Sequence, residues 1–479
     1  MNEQSLFDRY DVSPLLKKIV DGIAMSGNAN SPFQVHLQNL NGSSPVFVLQ
    51  HIFTHPQTAT YNHVIVLNDA EEAAYFYNSI ESITGAMDLF YFPSSFKTSQ
   101  NFNLLNPSHV MLRTEALTKL SMGGNKKIVV TYPEAFFEKV IMPKTLQENI
   151  IQIKTNDTLG LNDLMERLVQ YGFERTDFVY EPGQFALRGG IFDIYSFGNE
   201  KPYRVELFGE EVDSIRLFDP ETQLSERKLL QVNIIPNVTT QFEDTIKIPF
   251  MEFVPEHTVV WLKDWTLIQQ RGNDQMEALE AFLLHAPILK ITDDADTHKK
   301  NTDKDDFVAV EKVIEQVFNK PIIEWGFQAN LTKQKLAFST QVQPSFNRQF
   351  QYLIANLQEY EKKGYDLFLF AEQAKQLERL HAIFTDLKTE IQFTPIVKNI
   401  HEGFIDHDHK MVCYTDHQIF QRYHKYKVKQ AYSKNKAITL RTLSDLHPGD
   451  YVTHIDHGVG VYSGLQKIEV NGMMQEAVR

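Results

Sequence analysis

The sequence predicts a mixed α/β protein of about three domains, and three observations support this prediction. Its 479 residues are more than a single domain usually contains. Hydrophobic residues make up 42% of the chain, which is enough apolar material for several packed cores. Short apolar runs alternate with amphipathic segments over much of the sequence, and this alternation is typical of the strands and helices of a parallel sheet.

Residues 1–146 show the alternation most clearly. Apolar residues at helical spacing predict a helix over residues 15–23. Short apolar runs at 33–37, 63–69 and 127–132 predict strands, and helical segments separate them. Because parallel strands are joined by helical crossovers, we predict a parallel α/β layer in this segment.

A different pattern occupies residues 147–234, where one amphipathic helix precedes alternating strands with glycine-rich turns. This pattern predicts a small α+β module inserted in the chain. The α/β alternation returns over residues 235–343. Residues 344–426 then combine two amphipathic helices with buried strands, which predicts a small α/β domain of ordinary size.

The last part of the chain begins with a lysine-rich segment, residues 427–444, which we interpret as a basic linker. Residues 445–479 consist of short strand-like runs separated by glycine turns. This is typical of the beginning of an SH3-like or Tudor-like β-barrel. Because an incomplete barrel would leave an unpaired sheet edge, we expect this chain to be a piece of a longer protein.

Composition argues against several classes of protein. A net charge of −14 is the opposite of the basic excess that a general nucleic-acid binder carries. Cys413 is the only cysteine, so the chain has no disulfide framework and no cysteine-based zinc site. The histidines His401, His407 and His409 are close in sequence, but their surroundings indicate a solvated turn, and we predict no metal site. No signal peptide or membrane-spanning run is present, so we expect a soluble cytoplasmic protein without membrane contact.

A phosphate-binding loop is expected at the first strand–turn–helix of a nucleotide-binding domain, but the turn here lacks its essential residues. A working loop has the form G-x-x-x-x-G-K-[ST], in which backbone amides and the lysine hold the phosphates. The corresponding turn contains Asn41, Gly42, Ser43, Ser44 and Pro45. It has no lysine and no second glycine, and proline removes a donor amide. We therefore predict a degenerate, non-functional loop, no nucleotide cofactor in this segment and no catalytic residues.

The strand-like run YRVELF, at positions 203–208, carries an aromatic residue on the face that is expected to be exposed to solvent. Alternation places Arg204, Glu206 and Phe208 opposite the apolar face. Arginine and aromatic side chains are enriched at protein-binding hot spots, and Arg188, before a Gly-Gly turn, is a third candidate. Two interpretations remain open. In the first, Phe208 packs under a helix while Arg204 pairs with Glu206 or Glu211. In the second, Arg188, Arg204 and Phe208 form a protein-binding surface.

Three sequence motifs resemble the bacterial transcription-repair coupling factor family. The UvrB-homology module of that family resembles PGQFALRGGIFDIYSFGNEKPYRVELFGEEVDSIRLFDPETQLS. The end of its third domain resembles YTDHQIFQRYHKYK. The opening of its RNA polymerase-interacting domain, which CarD-like regulators share, resembles GDYVTHIDHGVGVYSGLQKIEVNG. The motifs occur in the family's order, and the resemblance covers essentially the whole chain.

The resemblance implies that residues 1–146 and 235–343 form the two parts of a degenerate P-loop helicase-like, UvrB-like domain. It implies that the inserted module recruits UvrA. The family's two arginines and phenylalanine for that contact correspond to Arg188, Arg204 and Phe208. These are the residues that strand alternation and the Gly-Gly turn had already singled out.

The resemblance also implies that the C-terminal domain binds the β subunit of RNA polymerase, with Ile468 at the position of the family's apolar contact. Strand addition at a sheet edge is the expected mode. Full-length members carry an ATP- and Mg-dependent DNA translocase motor, which this chain lacks. Contact with DNA is expected through that motor, and the chain is expected to be a monomer.

The function that follows is a scaffold for transcription-coupled nucleotide excision repair, which recruits UvrA where RNA polymerase has stalled at a lesion. One alternative is a UvrB-like helicase or damage-verification factor. It would require an intact phosphate loop and an aromatic-rich DNA hairpin, for which residues 90–109 are too short and too poor in aromatics. A second alternative is a CarD-like transcription regulator, which would have no use for the three candidate residues of the module.

Overall fold

The computed structural model contains α/β domains and, near the C-terminus, β-hairpins. It describes residues 4–26, 32–98, 100–239, 245–285, 300–329, 331–426, 449–454, 458–463, 465–470 and 473–478.

The segment before the module folds as alternating strands and helices. Its helices are α1 (Gln4–Asp11), α2 (Pro14–Ser26), α3 (Ser44–Thr54), α4 (Ala70–Thr84), α5 (Pro107–Ser121), α6 (Pro133–Phe136) and α7 (Pro143–Glu148). Its strands are β1 (Gln34–Gln38), β2 (Asn62–Val66), β3 (Leu89–Phe92), β4 (Phe96–Thr98), β5 (Asn101–Leu105), β6 (Ile128–Thr131) and β7 (Val140–Ile141). Local sequence fixes the helix ends, as at α4, where the Asp69 side chain accepts from the Glu72 amide at the N-terminus.

The module consists of one helix and a largely antiparallel sheet. Its elements are β8 (Ile151–Lys154), α8 (Leu161–Gln170), β9 (Glu174–Arg175), β10 (Gln184–Arg188), β11 (Ile191–Ile194), β12 (Tyr203–Phe208), β13 (Glu211–Phe218), β14 (Ser225–Leu229) and β15 (Gln231–Ile234). Six strands form one sheet in the order β14-β13-β12-β11-β10-β9. Leu164 and Leu168 of α8 belong to the apolar core on one face of this sheet, and the strands β8 and β15 pair with each other where the chain enters and leaves the module.

After the module the chain returns to the first sheet. The elements are β16 (Lys247–Ile248), α9 (Phe250–Phe253), β17 (Thr258–Lys263), α10 (Trp265–His285), α11 (Val310–Val317), β18 (Ile322–Trp325) and β19 (Gln334–Ala337). The combined seven-stranded sheet has the order β19-β1-β18-β17-β2-β6-β3, and every pairing in it is parallel. The predicted mixed α/β fold with a parallel sheet is therefore confirmed.

The following domain is built on a mixed five-stranded sheet. Its elements are β20 (Thr340–Val342), α12 (Phe350–Lys362), β21 (Asp366–Phe370), α13 (Ala374–Asp386), β22 (Thr394–Ile396), β23 (Phe404–Asp406), β24 (Met411–Thr415) and α14 (Asp416–Ile419). The strand order is β20-β23-β24-β21-β22. The helices α12 and α13 share an apolar core with one set of strand residues. The other set, including Phe368, Phe370 and Phe404, belongs to the core of the seven-stranded sheet domain.

A direct contact between these two domains occurs at the turn between β1 and α3. The Ser43 amide donates to the carbonyl of Glu402 at 3.1 Å, and the Glu402 amide donates to Ser43 Oγ at 3.0 Å. Gly42 has a φ of +56°, and a Cβ atom there would lie 2.7 Å from the carbonyl oxygen of Gly403. The turn that would hold phosphate in a working loop is therefore in close contact with the following domain.

Near the C-terminus the described residues form two antiparallel hairpins. One pairs β25 (Tyr451–His454) with β26 (Gly458–Val461), and the other pairs β27 (Leu465–Val470) with β28 (Met473–Val478). Closure into an SH3-like or Tudor-like barrel stays a prediction. The predicted basic linker, residues 427–444, lies outside the described residues.

No helix in the described part of the chain is long and apolar enough to cross a membrane.

The variant Gly42→Ala is expected to weaken the contact between the domains. Alanine at this φ costs about 1 kcal/mol, and its Cβ would also press on the Gly403 carbonyl. We expect amide hydrogen exchange in residues 399–406 to become about ten-fold faster, as measured by mass spectrometry.

Gly85→Ala is the matched control for this experiment. Gly85 has nearly the same φ, +57°, but nothing lies within 4 Å of the added Cβ. Its backbone strain is therefore the same without the contact. Equal exchange in residues 399–406 for Gly42→Ala and for the unmodified chain would show that the contact does not depend on this turn.

Candidate functional site

The outer face of the module's sheet carries charged residues in register across its central strands. Asp193 of β11 lies opposite Arg204 of β12, which in turn lies opposite Arg216 of β13. The residues Tyr203 and Val205, which flank Arg204 in the strand, are buried in the core on the other face. The alternation of β12 thus separates an apolar face from a charged one.

Arg204 is held by several groups at once. Its Nε and Nη2 atoms donate to the two carboxylate oxygens of Asp193, at 2.8 and 2.9 Å. Nη1 donates to the carbonyl of Gln223 at 3.0 Å, and the guanidinium lies 4.4 Å from the ring centre of Phe218. The hydrogen bonds that Arg204 donates to Asp193 raise the pKa of Arg204, whose side chain is only 14% exposed.

Arg188 reaches the same carboxylate from β10. Its Nη2 donates to Asp193 Oδ2 at 2.5 Å, and its Nη1 donates to the carbonyl of Asp177 at 2.8 Å. The guanidinium lies 4.4 Å from the ring centre of Phe178, and the side chain is 32% exposed. The structure therefore brings the two predicted arginines together on one buried acid.

The turn after Arg188 depends on glycine. Gly189 has a φ of +60°, and a Cβ on Gly190 would lie 2.9 Å from the carbonyl oxygen of Leu207. The Leu207 amide also donates to the Gly190 carbonyl at 2.7 Å. The end of the hairpin that carries Arg188 therefore lies against the end of β12, next to Phe208.

Phe208 is 83% exposed, at the end of β12 where the chain turns into β13. The interpretation that it packs under a helix is wrong. The accompanying pairing of Arg204 with Glu206 or Glu211 is also wrong, because Arg204 pairs with Asp193. Glu206 instead accepts from Arg216 at 3.0 Å and from a serine hydroxyl at 2.6 Å.

Sequence reasoning missed Asp193. It is fully buried, and it lies between Phe192 and Ile194 in a strand that is otherwise apolar. A single acid inside such a strand is a usable signal, since a buried carboxylate needs a cationic or hydrogen-bonding partner. The partner's identity depends on which strands are neighbours, and the sequence does not specify this.

A cavity of about 360 Å³ lies beside the turn of Gly42 and Ser43, at the carboxyl ends of the parallel strands. Its lining includes four acids and one lysine: Asp69, Glu71, Glu72, Glu402 and Lys263. The lysine is paired with Glu72. Excess negative charge at this position repels phosphate.

The remaining predicted residue, Ile468, lies in β27 in register with Gln475 of β28. Its side chain is outside the described part of the structure. Among the residues that the structure describes, no group of three or more histidine, cysteine or acidic side chains is arranged to hold a metal ion.

Two family models match the chain. The model described as the UvrB interaction domain matches residues 151–239, and the model described as the CarD-like/TRCF RID domain matches residues 446–479. The first match contains the whole charged face and Phe208. The second begins just before β25.

Curated relatives match the chain over most of its length. The transcription-repair-coupling factor of Bacillus subtilis (strain 168) is 24% identical, with 94% of this chain and 42% of the relative covered. Those of Staphylococcus aureus (strain Mu50 / ATCC 700699) and Staphylococcus haemolyticus (strain JCSC1435) are 22% and 23% identical, with 87% of this chain and 41% of each relative covered. The chain thus spans about two fifths of the length of these relatives. The resemblance that the sequence motifs indicate is confirmed: the chain is related to the N-terminal part of the transcription-repair coupling factors.

Proposed function

We propose that this chain is a scaffold of transcription-coupled nucleotide excision repair, which recruits UvrA to lesions where RNA polymerase has stalled. The observation that carries the proposal is the position of the charged face and Phe208 inside the segment that matches the UvrB interaction domain. The match of the C-terminal segment to the CarD-like/TRCF RID domain supports the polymerase half of the proposal.

UvrA binds, in this proposal, to Arg188, Arg204 and Phe208. An aromatic ring left 83% exposed gains binding energy when a partner covers it. The hydrogen bonds within the module occupy three of the five N–H donors of Arg204 and two of those of Arg188. Both guanidinium groups therefore retain donors for acceptor oxygens on UvrA.

Phe208→Ala is expected to weaken UvrA binding at least about ten-fold, which corresponds to about 1.4 kcal/mol. The reason is loss of apolar area that only the complex buries. Isothermal titration of the chain with purified UvrA measures the effect. Phe208 is a cleaner test than Arg204, because removing Arg204 would leave the buried Asp193 without its main partner.

Val169→Ala provides the matched control for this titration. Val169 is also exposed and apolar, but it lies on α8, which covers the opposite face of the sheet. The affinity of the Val169→Ala chain for UvrA should stay within two-fold of that of the unmodified chain. UvrA binding by Phe208→Ala as tight as that of the unmodified chain, with circular dichroism unchanged, would reject the site.

RNA polymerase binds, in this proposal, through its β subunit at the C-terminal segment, by strand addition next to Ile468. A charge at this position should prevent an apolar contact, so Ile468→Glu is expected to abolish capture of the β subunit in a pull-down. Lys467→Glu places the same carboxylate one residue earlier in β27 and serves as the control. Equal capture by Ile468→Glu and the unmodified chain would contradict this role.

We also propose that the parallel-sheet domain is a degenerate P-loop helicase-like domain and that this segment does not hydrolyse ATP. In this proposal, a translocase motor outside this chain would bind ATP, Mg²⁺ and DNA. Engagement of the Ser43 amide by Glu402 and the acidic cavity support this reading. We expect phosphate release from ATP by the purified chain to equal that of a heat-denatured sample, and turnover that rises with protein concentration would contradict it.

The UvrB-like alternative is less well supported. It would need hairpin aromatics that are free to contact DNA. The aromatics of the β4–β5 hairpin, Phe96 and Phe102, are buried against Phe307 with ring centres 6.0 and 5.7 Å from its ring centre. The geometry thus favours a packed structural hairpin over a DNA-threading one.

A further inference from the structure

Asp193 is the point at which the two arginines of the module meet. Its carboxylate is fully buried, and both oxygens accept hydrogen bonds from guanidinium groups. The acid itself therefore has no surface that a partner could touch. Whatever Asp193 does for binding, it does through Arg188 and Arg204.

Each arginine is held by the same three kinds of contact. An aromatic ring lies 4.4 Å below each guanidinium, a backbone carbonyl accepts from one nitrogen, and Asp193 accepts from another. A planar guanidinium fixed by a ring, a carbonyl and a carboxylate retains little rotational freedom. Asp193 is the one contact that the two arginines share.

Stability alone does not account for a carboxylate at this position. Taking an acid out of water costs several kcal/mol, and an apolar residue in the same place is often neutral or stabilising. Ala186, directly opposite Asp193 in β10, and Tyr195, two residues further along the chain, are buried in an apolar cluster on the same face, so this face accommodates apolar side chains. The ion pair is better explained by what it imposes on the two arginines, which is a fixed orientation.

We propose that Asp193 is a positioning residue for UvrA binding, because it holds both guanidinium groups in the orientation in which they meet the partner. This inference rests on the proposed function of the module. A side chain that is fixed before binding loses less conformational entropy in the complex, so the benefit appears as affinity. The contacts also predict that the partner presents acceptor oxygens to the remaining N–H donors.

The test is Asp193→Asn, which keeps the shape of the side chain and removes its charge. We expect UvrA affinity to fall at least about ten-fold in isothermal titration. Glu226→Gln is the matched control, since Glu226 lies on the edge strand β14 of the same sheet and pairs with Lys201 instead. Its affinity should stay within two-fold of the unmodified chain.

If Asp193 had a purely structural role, Asp193→Asn would lower UvrA affinity equally in every variant chain. If Asp193 positions the arginines, the loss of affinity requires Arg188 and Arg204 to be present. Asp193→Asn should therefore lower affinity about ten-fold in the Phe208→Ala chain. It should lower affinity less than two-fold in the Arg188→Ala/Arg204→Ala chain, titrated at higher concentrations. An equal loss in both backgrounds would overturn the proposal.

Nitrogen NMR of the arginine-labelled chain measures how far the guanidinium groups are fixed in the absence of UvrA. We expect hindered rotation of the Arg188 and Arg204 guanidinium groups in the unmodified chain. In Asp193→Asn both groups should rotate freely, whereas the rotation of Arg216 should stay unchanged. If Asp193→Asn fails to fold, the NMR measurement on the unmodified chain still tests the proposal, because freely rotating guanidinium groups of Arg188 and Arg204 there would overturn it.

The titrations separate this inference from the proposed function. Binding of Asp193→Asn that equals binding of the unmodified chain would overturn the positioning role and leave UvrA recruitment intact. No UvrA binding by the unmodified chain would reject both.

Discussion

Pairing between strands that precede the module and strands that follow it is the interaction on which the rest of the architecture depends: β1 pairs with β18 and β19, and β2 pairs with β17. In the pair of β2 and β17, the two segments meet at the centre of the sheet. The register runs from Asn62 opposite Thr258 to Val66 opposite Leu262. Next to it, Trp261 Nε1 donates to His63 Nδ1 at 3.0 Å. Burial lowers the pKa of His63 to about 3, so the imidazole stays neutral and able to accept this bond at neutral pH. With both halves of the sheet joined, the chain can leave and return at one place, where β8 and β15 pair.

The same parallel α/β sheet places the turn after β1 at the carboxyl ends of its strands. In such folds, ligands bind at the carboxyl ends of the strands, and the turn after β1 supplies amides to phosphate. Here the Ser43 amide is occupied by the Glu402 carbonyl, and the adjacent cavity is acidic. A position that holds a ligand elsewhere is used in this chain to attach the next domain.

Sequence periodicity predicted properties that depend on one strand alone. Alternation placed Phe208 outside because its period is a property of the strand itself. It did not identify the partner of Arg204, which depends on strand neighbours: Asp193 is adjacent across β11, while Glu206 is taken by Arg216 of β13. The Ser43–Glu402 contact was missed for the same reason, since its two residues are distant in sequence.

The module's surface combines two kinds of group whose freedom differs. The guanidinium groups of Arg188 and Arg204 are anchored on a buried acid, so their charge and direction are set before any partner arrives. Phe208 lies beyond a β-bulge between Glu206 and Leu207, next to Gly209 at a φ of +65°, and its ring is largely in water. Fixed polar donors confer specificity because a wrongly placed acceptor leaves them unpaired, whereas an apolar ring contributes affinity with little demand on direction. At the proposed UvrA site, the arginines would therefore select the partner and the phenylalanine would retain it.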